Sequence, residues 1–126
     1  MPPLPWRTSR PVDPAGSYAV AITKLPLQSH LRIPSILLAT VRVMRQLKRS
    51  EGLIGYALKA DLLHKTFWTM SAWQDRDALT AFVRSDVHRK AMTALQPHMD
   101  DPHIKTYDAR GSEIPPTWPD LARELA

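Results

Sequence analysis

The residues best suited to chemistry lie in two short stretches. In the first, Phe67, Thr69, Ser71 and Trp73 alternate with Trp68, Met70 and Ala72, so those four share one face of an extended strand. Aromatic surface combined with two hydroxyls suits a mostly apolar ligand held by a few oriented hydrogen bonds. A Trp at a strand end serves equally well in ordinary packing. In the second stretch, His88 is followed one helical turn later by Met92. An imidazole beside a cavity can take a proton from a phenol or enol near neutral pH. His88 is therefore the acid–base candidate and Met92 a wall residue; a surface or capping histidine near Asp86 is the plainer role.

Other groups carry less. His98, Asp100, Asp101 and His103 are of metal-ligand types, but their spacing fits no metal motif and Pro102 shapes a turn there, so no metal is expected. No Gly-rich phosphate loop, nucleophile elbow or dinucleotide fingerprint is present, and flavin or nicotinamide has no support. Cysteine is absent, which removes thiol catalysis, thiolate metal sites and disulfides. The net charge of +5 raises a nucleic-acid reading. However, Arg42, Arg45, Lys48 and Arg49 interleave with Val41, Val43, Met44 and Leu47, as the wet side of an amphipathic helix does. They also sit near its C-terminus, where cations suit the dipole. No nucleic-acid partner is expected. No apolar run approaches the ~20 residues that cross a bilayer. Pro2, Pro3, Pro5, Pro11 and Pro14 interrupt any signal-peptide core. A cytoplasmic protein with no membrane partner is the expectation.

At 126 residues there is room for one domain with a real core. Residues 1–16 read as a Pro-rich arm, 17–110 as the domain and 111–126 as a tail with a short helix. Residues 17–25 alternate as a strand, with Tyr18, Val20 and Ile22 on one face and Ala19, Ala21 and Thr23 on the other, and Pro26 ends it. Pro34 suits the first turn of a helix running to about Ser50, with Ile36, Thr40, Val43 and Leu47 inward and Gly52 as its stop. Residues 53–62 form a second strand, with Ile54, Tyr56, Leu58 and Ala60 on one face. A third, roughly 65–73, follows so soon that the two make a hairpin near 61–64. Asp75 caps a helix bearing Ala78, Leu79, Phe82 and Val83; Ser85 and Asp86 break and recap it ahead of Val87, Ala91, Met92 and Leu95. Pro97 ends that piece, and residues 103–108 supply a fourth strand. Trp118 is expected to anchor the tail against the domain or a neighbouring subunit, and the tail closes with Leu121 and Leu125.

The order βαββαβ predicts a ferredoxin-like α+β domain, a four-stranded antiparallel sheet with both helices on one face. The other face would expose Trp68, Met70 and Ala72, with either Tyr56 and Leu58 or their neighbours on the second strand. That much apolar surface needs a cover, and a second copy packing sheet to sheet would supply it. A homodimer is expected on this ground.

The run from Phe67 to Asp75, followed by Ala78, Leu79, Phe82 and Ser85-Asp86-Val87-His88, resembles the antibiotic biosynthesis monooxygenase family. Lys105-Thr106-Tyr107-Asp108 resembles that family's last strand. The resemblance implies a dimeric α+β barrel with a cavity between helices and sheet in each subunit, onto which Phe67, Thr69, Ser71 and Trp73 would look. Members include cofactor-free oxygenases of polycyclic aromatics, haem-degrading monooxygenases and isomerases. The haem-degrading branch is similar over Trp73 and Ser85-Asp86-Val87, but its haem-ligating His position holds Met92 here. Its first-strand Asn is missing too, Ala21 and Thr23 standing nearest. A Met thioether can ligate haem iron, so haem remains the alternative to no cofactor.

Fold constrains activity loosely, and three functions follow. The leading one is a monooxygenase-like oxidoreductase acting on a small hydrophobic or aromatic molecule. His88 would be its acid–base group, and Phe67, Thr69, Ser71, Trp73 and Met92 would shape its pocket. The second is a non-catalytic protein that binds haem or another planar ligand in the same cavity. The third is a dimeric structural protein whose cavity is filled by its own side chains.

Overall fold

The structure is a computed structural model and describes residues 6–29, 31, 33–61, 63–99 and 102–125. Five strands form one antiparallel sheet: β1 (Arg7–Thr8), β2 (Ser17–Pro26), β3 (Leu53–Asp61), β4 (Thr66–Trp73) and β5 (His103–Arg110). Their order is β1-β3-β4-β2-β5. The four long strands have the ferredoxin-like arrangement; the short fifth comes from the arm, pairing Arg7 with Tyr56 and Thr8 with Gly55. Helices α1 (Ile33–Arg49), α2 (Arg76–Val83) and α3 (Asp86–Leu95) pack on one face, and α4 (Trp118–Glu124) lies in the tail. Among the described residues no helix is long and apolar enough to cross a membrane.

Local chemistry sets most boundaries. Pro26 closes β2 opposite Thr66, and Leu27 adds a single bridge to Met99. α1 ends with Lys48 and Arg49 in its last turn, and Gly52 takes a φ of +81° to turn into β3. Arg42 and Arg45 are exposed on its outer side, as the amphipathic pattern requires. The Asp61 carboxylate accepts the His64 backbone N–H at 3.1 Å and faces its imidazole at 2.7 Å, which ties the β3–β4 turn. Leu62, where the second strand was expected to end, lies outside the described residues. Asp75 accepts from the Ala78 N–H at 2.8 Å and Ser85 from the His88 N–H at 3.4 Å, capping α2 and α3.

Two expectations need correction. Ile54 does not share a face with Tyr56, because the register slips between Leu53 and Gly55: Leu53 pairs with Trp73 while Gly55 pairs with Ala72. The extra residue is a β-bulge, which throws Ile54 to the face away from the helices and leaves Tyr56, Leu58 and Ala60 on the helix side, across from Ser71, Thr69 and Phe67. The Ile54 carbonyl accepts backbone N–H groups of Ser9 at 2.8 Å and Arg10 at 3.3 Å, so the bulge is also where the arm attaches.

The second correction concerns the sheet face expected to be bare. Val20, Ile22, Ile54, Ala57, Met70 and Ala72 are buried there within a single chain, under Trp6 and Val12 of the arm and Ile114, Trp118, Leu121 and Leu125 of the tail. A Cβ on Gly55 would lie 2.6 Å from the Trp6 ring, so the missing side chain lets the indole approach the sheet. The Gly111 N–H reaches the Gly16 carbonyl at 2.9 Å, tying tail to arm. Lys105 and Glu124 join β5 to α4 at 2.9 Å. Trp118 therefore anchors the tail on its own sheet, and the argument that a second copy must cover this face does not hold.

This cover makes a prediction. Leu121 is 1% exposed on the tail. Leu121→Ala should lower the unfolding free energy by about 2–5 kcal/mol in urea titration. A change below about 0.5 kcal/mol would mean the tail does not seal the sheet.

Candidate functional site

The helix-facing side of the sheet runs from bulky to small to bulky. Along β4 it reads Phe67, Thr69, Ser71, Trp73, and on the paired β2 the partners are Leu25, Thr23, Ala21 and Ala19. Two clusters form where the large side chains are. Trp73 packs with Leu47, Leu53, Tyr56, Leu79 and Phe82 at one end, and Phe67 packs with Leu25, Leu27, Leu95 and Met99 at the other. Between them the helices rest on alanine and hydroxyl side chains, and the space left is a cavity of about 190 Å³. Its floor includes Ala21, Thr23, Thr69 and Ser71; its roof includes Met44, Leu47, Phe82, His88 and Met92. A surface recess adjoins it, and Leu25, Val83, His88, Met92 and Ile104 line both. Ile104, 63% exposed on the edge strand β5, marks this open side.

His88 stands at that junction because Ser85 fixes the start of α3 three residues earlier. Its ring meets the edge of Phe82 at 5.0 Å between centroids, and Phe82 stacks on Trp73 at 5.1 Å. Burial holds the imidazole pKa below its ordinary value, against a hydrogen bond to the Val83 backbone carbonyl that favours the charged form. A cation in the first turn of a helix is also opposed by the dipole. The imidazole is thus neutral at pH 7. Donating to Val83 from one nitrogen leaves the other with a lone pair that can accept a proton.

Of the other expected pocket residues, Thr69, Ser71 and Met92 line the cavity. Thr69 and Thr23 hydroxyls hydrogen-bond each other across the strands. Ser71 Oγ accepts from Trp73 Nε1 at 2.9 Å and keeps its own O–H as a donor. Trp73 does not line the cavity: fully buried, it backs Phe82 and Ser71. Phe67 does not line it either and instead borders an adjoining recess of about 220 Å³. The residue that spacing alone did not single out is Tyr56. It lines the cavity at 3% exposure, and among the described residues its hydroxyl is the one buried side-chain oxygen or nitrogen with no hydrogen-bond partner. Such an unpaired group costs about 1–3 kcal/mol. Its position depends on the bulge at Ile54, which spacing does not reveal; the signal that was available is that Tyr56 is the one aromatic residue of its strand.

The metal-type stretch offers nothing further: among the described residues no group of three His, Asp or Glu could hold an ion, and Asp100 and Asp101 lie outside them. Met92, which stands at the expected haem-ligand position, lies on the roof of this cavity, and the cavity opens into the adjoining recess.

Residues 36–94, spanning α1 to the end of α3 and including Tyr56, His88 and Met92, match the family model for antibiotic biosynthesis monooxygenases. Over those residues the chain is similar to that family. No curated protein matches it in sequence. Among solved structures it is similar to a conserved protein from Methanosarcina mazei Go1 (17% identity, TM-score 0.66), covering 74% of this chain and 93% of that one. An antibiotic biosynthesis monooxygenase superposes with 17% identity and a TM-score of 0.65 over 72% of this chain and 97% of the other. SnoaB, a cofactor-independent oxygenase from Streptomyces nogalater, does so with 14% identity and a TM-score of 0.61 over 74% and 93%. At these identities the superpositions speak for the fold.

The state of His88 is testable through stability. A histidine whose folded pKa is depressed binds fewer protons folded than unfolded, so its contribution is complete above the unfolded value of about 6.5 and is lost as pH falls below it. Unfolding free energy should decline from pH 8 toward pH 5, and His88→Gln should flatten that decline. An unchanged slope in the variant would mean that His88 is not held neutral.

Proposed function

We propose that this chain is a monooxygenase-like oxidoreductase acting on a small hydrophobic or aromatic molecule within the helix–sheet cavity, with His88 as general base. The observation that carries the reading is a half-buried imidazole, its pKa lowered by burial, at the wall of a mostly apolar cavity. A ring that enters past Val83 and Ile104 meets Phe82 and the thioethers of Met44 and Met92, contacts that favour aromatic surfaces. Deprotonation of a phenol or enol by His88 raises electron density on the carbon that would react with dioxygen. Thr69 and Ser71 offer hydroxyls to orient the substrate, while Phe67 and Trp73 support the two ends of the floor. The family match supports monooxygenase-like chemistry of this kind.

His88→Ala should reduce turnover at least tenfold, measured as oxygen uptake with a panel of phenols, while the circular dichroism spectrum is kept. An unchanged rate would remove His88 from the mechanism.

We also propose that the chain works as a homodimer. The sheet ends at β5, whose outer edge has no partner strand among the described residues and carries exposed Ile104, a surface a second copy can cover. Sedimentation equilibrium at micromolar concentration should give twice the 14.3 kDa of one chain. A single-chain mass would sink the dimer.

A further inference from the structure

A helix on the surface of a domain turns its apolar residues inward, and α1 departs from this rule. Its inner side is committed to the domain, with Leu47 buried and Val43 and Met44 half-buried against the Trp73 cluster. Yet Leu37, Leu38 and Val41 are 42%, 54% and 46% exposed on the outer side. Spacings of three and four residues make them neighbours there. Leu31, just ahead of the helix, and Leu63, in the β3–β4 turn, are more exposed still. Gly52 turns α1 directly back into β3, which places the start of α1 over the end of β3 and Leu63 at the same end of the domain. A contiguous exposed apolar patch of this kind marks an interaction surface. The charge beside it says what kind. α1 holds no Asp or Glu, and Arg42, Arg45, Lys48 and Arg49 continue its outer side, all exposed. Among the described residues none of the four is paired with a carboxylate. Arg42 stands one turn beyond Leu38, and Arg45 one turn beyond Val41. A second copy docking here would bring the same helix, which has no carboxylate to offer these cations. A lipid surface with anionic headgroups suits both halves of the patch: the leucines enter the acyl boundary while Arg and Lys meet the headgroups.

We propose that the outer side of α1, together with Leu31 and Leu63, docks this domain on an anionic lipid surface, lying on the bilayer without crossing it. Such docking needs no spanning helix, only an exposed apolar patch flanked by cations. Leu37 and Val41 also border the recess of about 220 Å³ that shares Thr40, Met44, Leu58 and Thr69 with the cavity. Apolar surface therefore continues from the docking side toward the site. The docking itself does not depend on any oxidation taking place there.

The test is co-sedimentation with vesicles of phosphatidylcholine alone and of phosphatidylcholine with about 30% phosphatidylserine. Wild type should bind the anionic vesicles about tenfold or more tightly than the neutral ones, and the difference should shrink between about 0.1 and 0.5 M NaCl. Leu37→Ser with Leu38→Ser should weaken binding to the anionic vesicles about tenfold at unchanged net charge. Arg42→Gln with Arg45→Gln should weaken it by a similar factor through charge. Lys24→Gln with Lys105→Gln removes the same charge from the tail side of the sheet and should change binding by less than about twofold. The substituted α1 positions are exposed, so both α1 variants should melt as wild type does in circular dichroism. No binding by wild type, binding insensitive to the leucines, or an equal loss from the tail-side pair would overturn the proposal, the last by showing net charge alone at work. A halved mass of the leucine variant in sedimentation equilibrium would overturn it too, by making this side an interface between copies. Docking is read without substrate, so its loss leaves the proposed oxidation standing, and a protein that docks but consumes no oxygen keeps the docking and loses the oxidation.

Discussion

The structure depends on a sheet that is apolar on both faces. β4 shows it most plainly: Trp68, Met70 and Ala72 look one way, and Phe67 and Trp73 the other, with the hydroxyls of Thr69 and Ser71 between them. A half-solvated antiparallel sheet alternates apolar and polar side chains. A sheet without that alternation must be covered twice, and this chain does it with different material on each side. Three helices cover one face. The arm and tail, joined through Gly111 and Gly16 and pinned at the Ile54 bulge, cover the other.

The two covers differ in how completely they fill the space. Beneath the arm and tail, Val20, Ile22, Ala72 and Leu121 are almost wholly excluded from water. On the helix side, the large side chains of β4 stand at its ends and hold α1, α2 and α3 away from the small residues between them. The cavity is thus a consequence of where bulk is placed along one strand, and its walls are apolar because the same positions would otherwise form core. Burial also sets the electrostatics. The imidazole of His88, packed against Phe82, loses hydration, and its charged form is disfavoured for that reason.

Packing and chemistry are linked through one chain of rings. Trp73 is tied to Ser71, Phe82 stacks on Trp73, and His88 leans on Phe82. Trp73 thereby affects the site without touching the cavity, and the same is true of Ser85, which decides where α3 begins and so where His88 projects. Tyr56 is the converse case. It sits in the packed cluster at the Trp73 end, yet its oxygen is not used by that cluster.

The order of elements, the caps at Asp75 and Ser85, the outward basic side of α1 and the shared face of Phe67, Thr69, Ser71 and Trp73 were legible in the sequence, because each depends on local backbone preference or on a period of two or 3.6. His88 and Met92 were legible for the same reason, being one helical turn apart. The face of Tyr56 was not, since a one-residue bulge inverts parity and the arm that bonds to Ile54 at that bulge is far away in sequence. Nor was the cover over the second sheet face, because whether a Pro-rich arm and tail fold back depends on long-range contacts such as Trp6 on Gly55 and Leu121 on the sheet. The sequence by itself determined which side chains alternate, where helices start and which groups can titrate. The tertiary structure decided which of them meet around an enclosed space, because cavity shape, burial and an unpaired hydroxyl arise only when distant segments pack together.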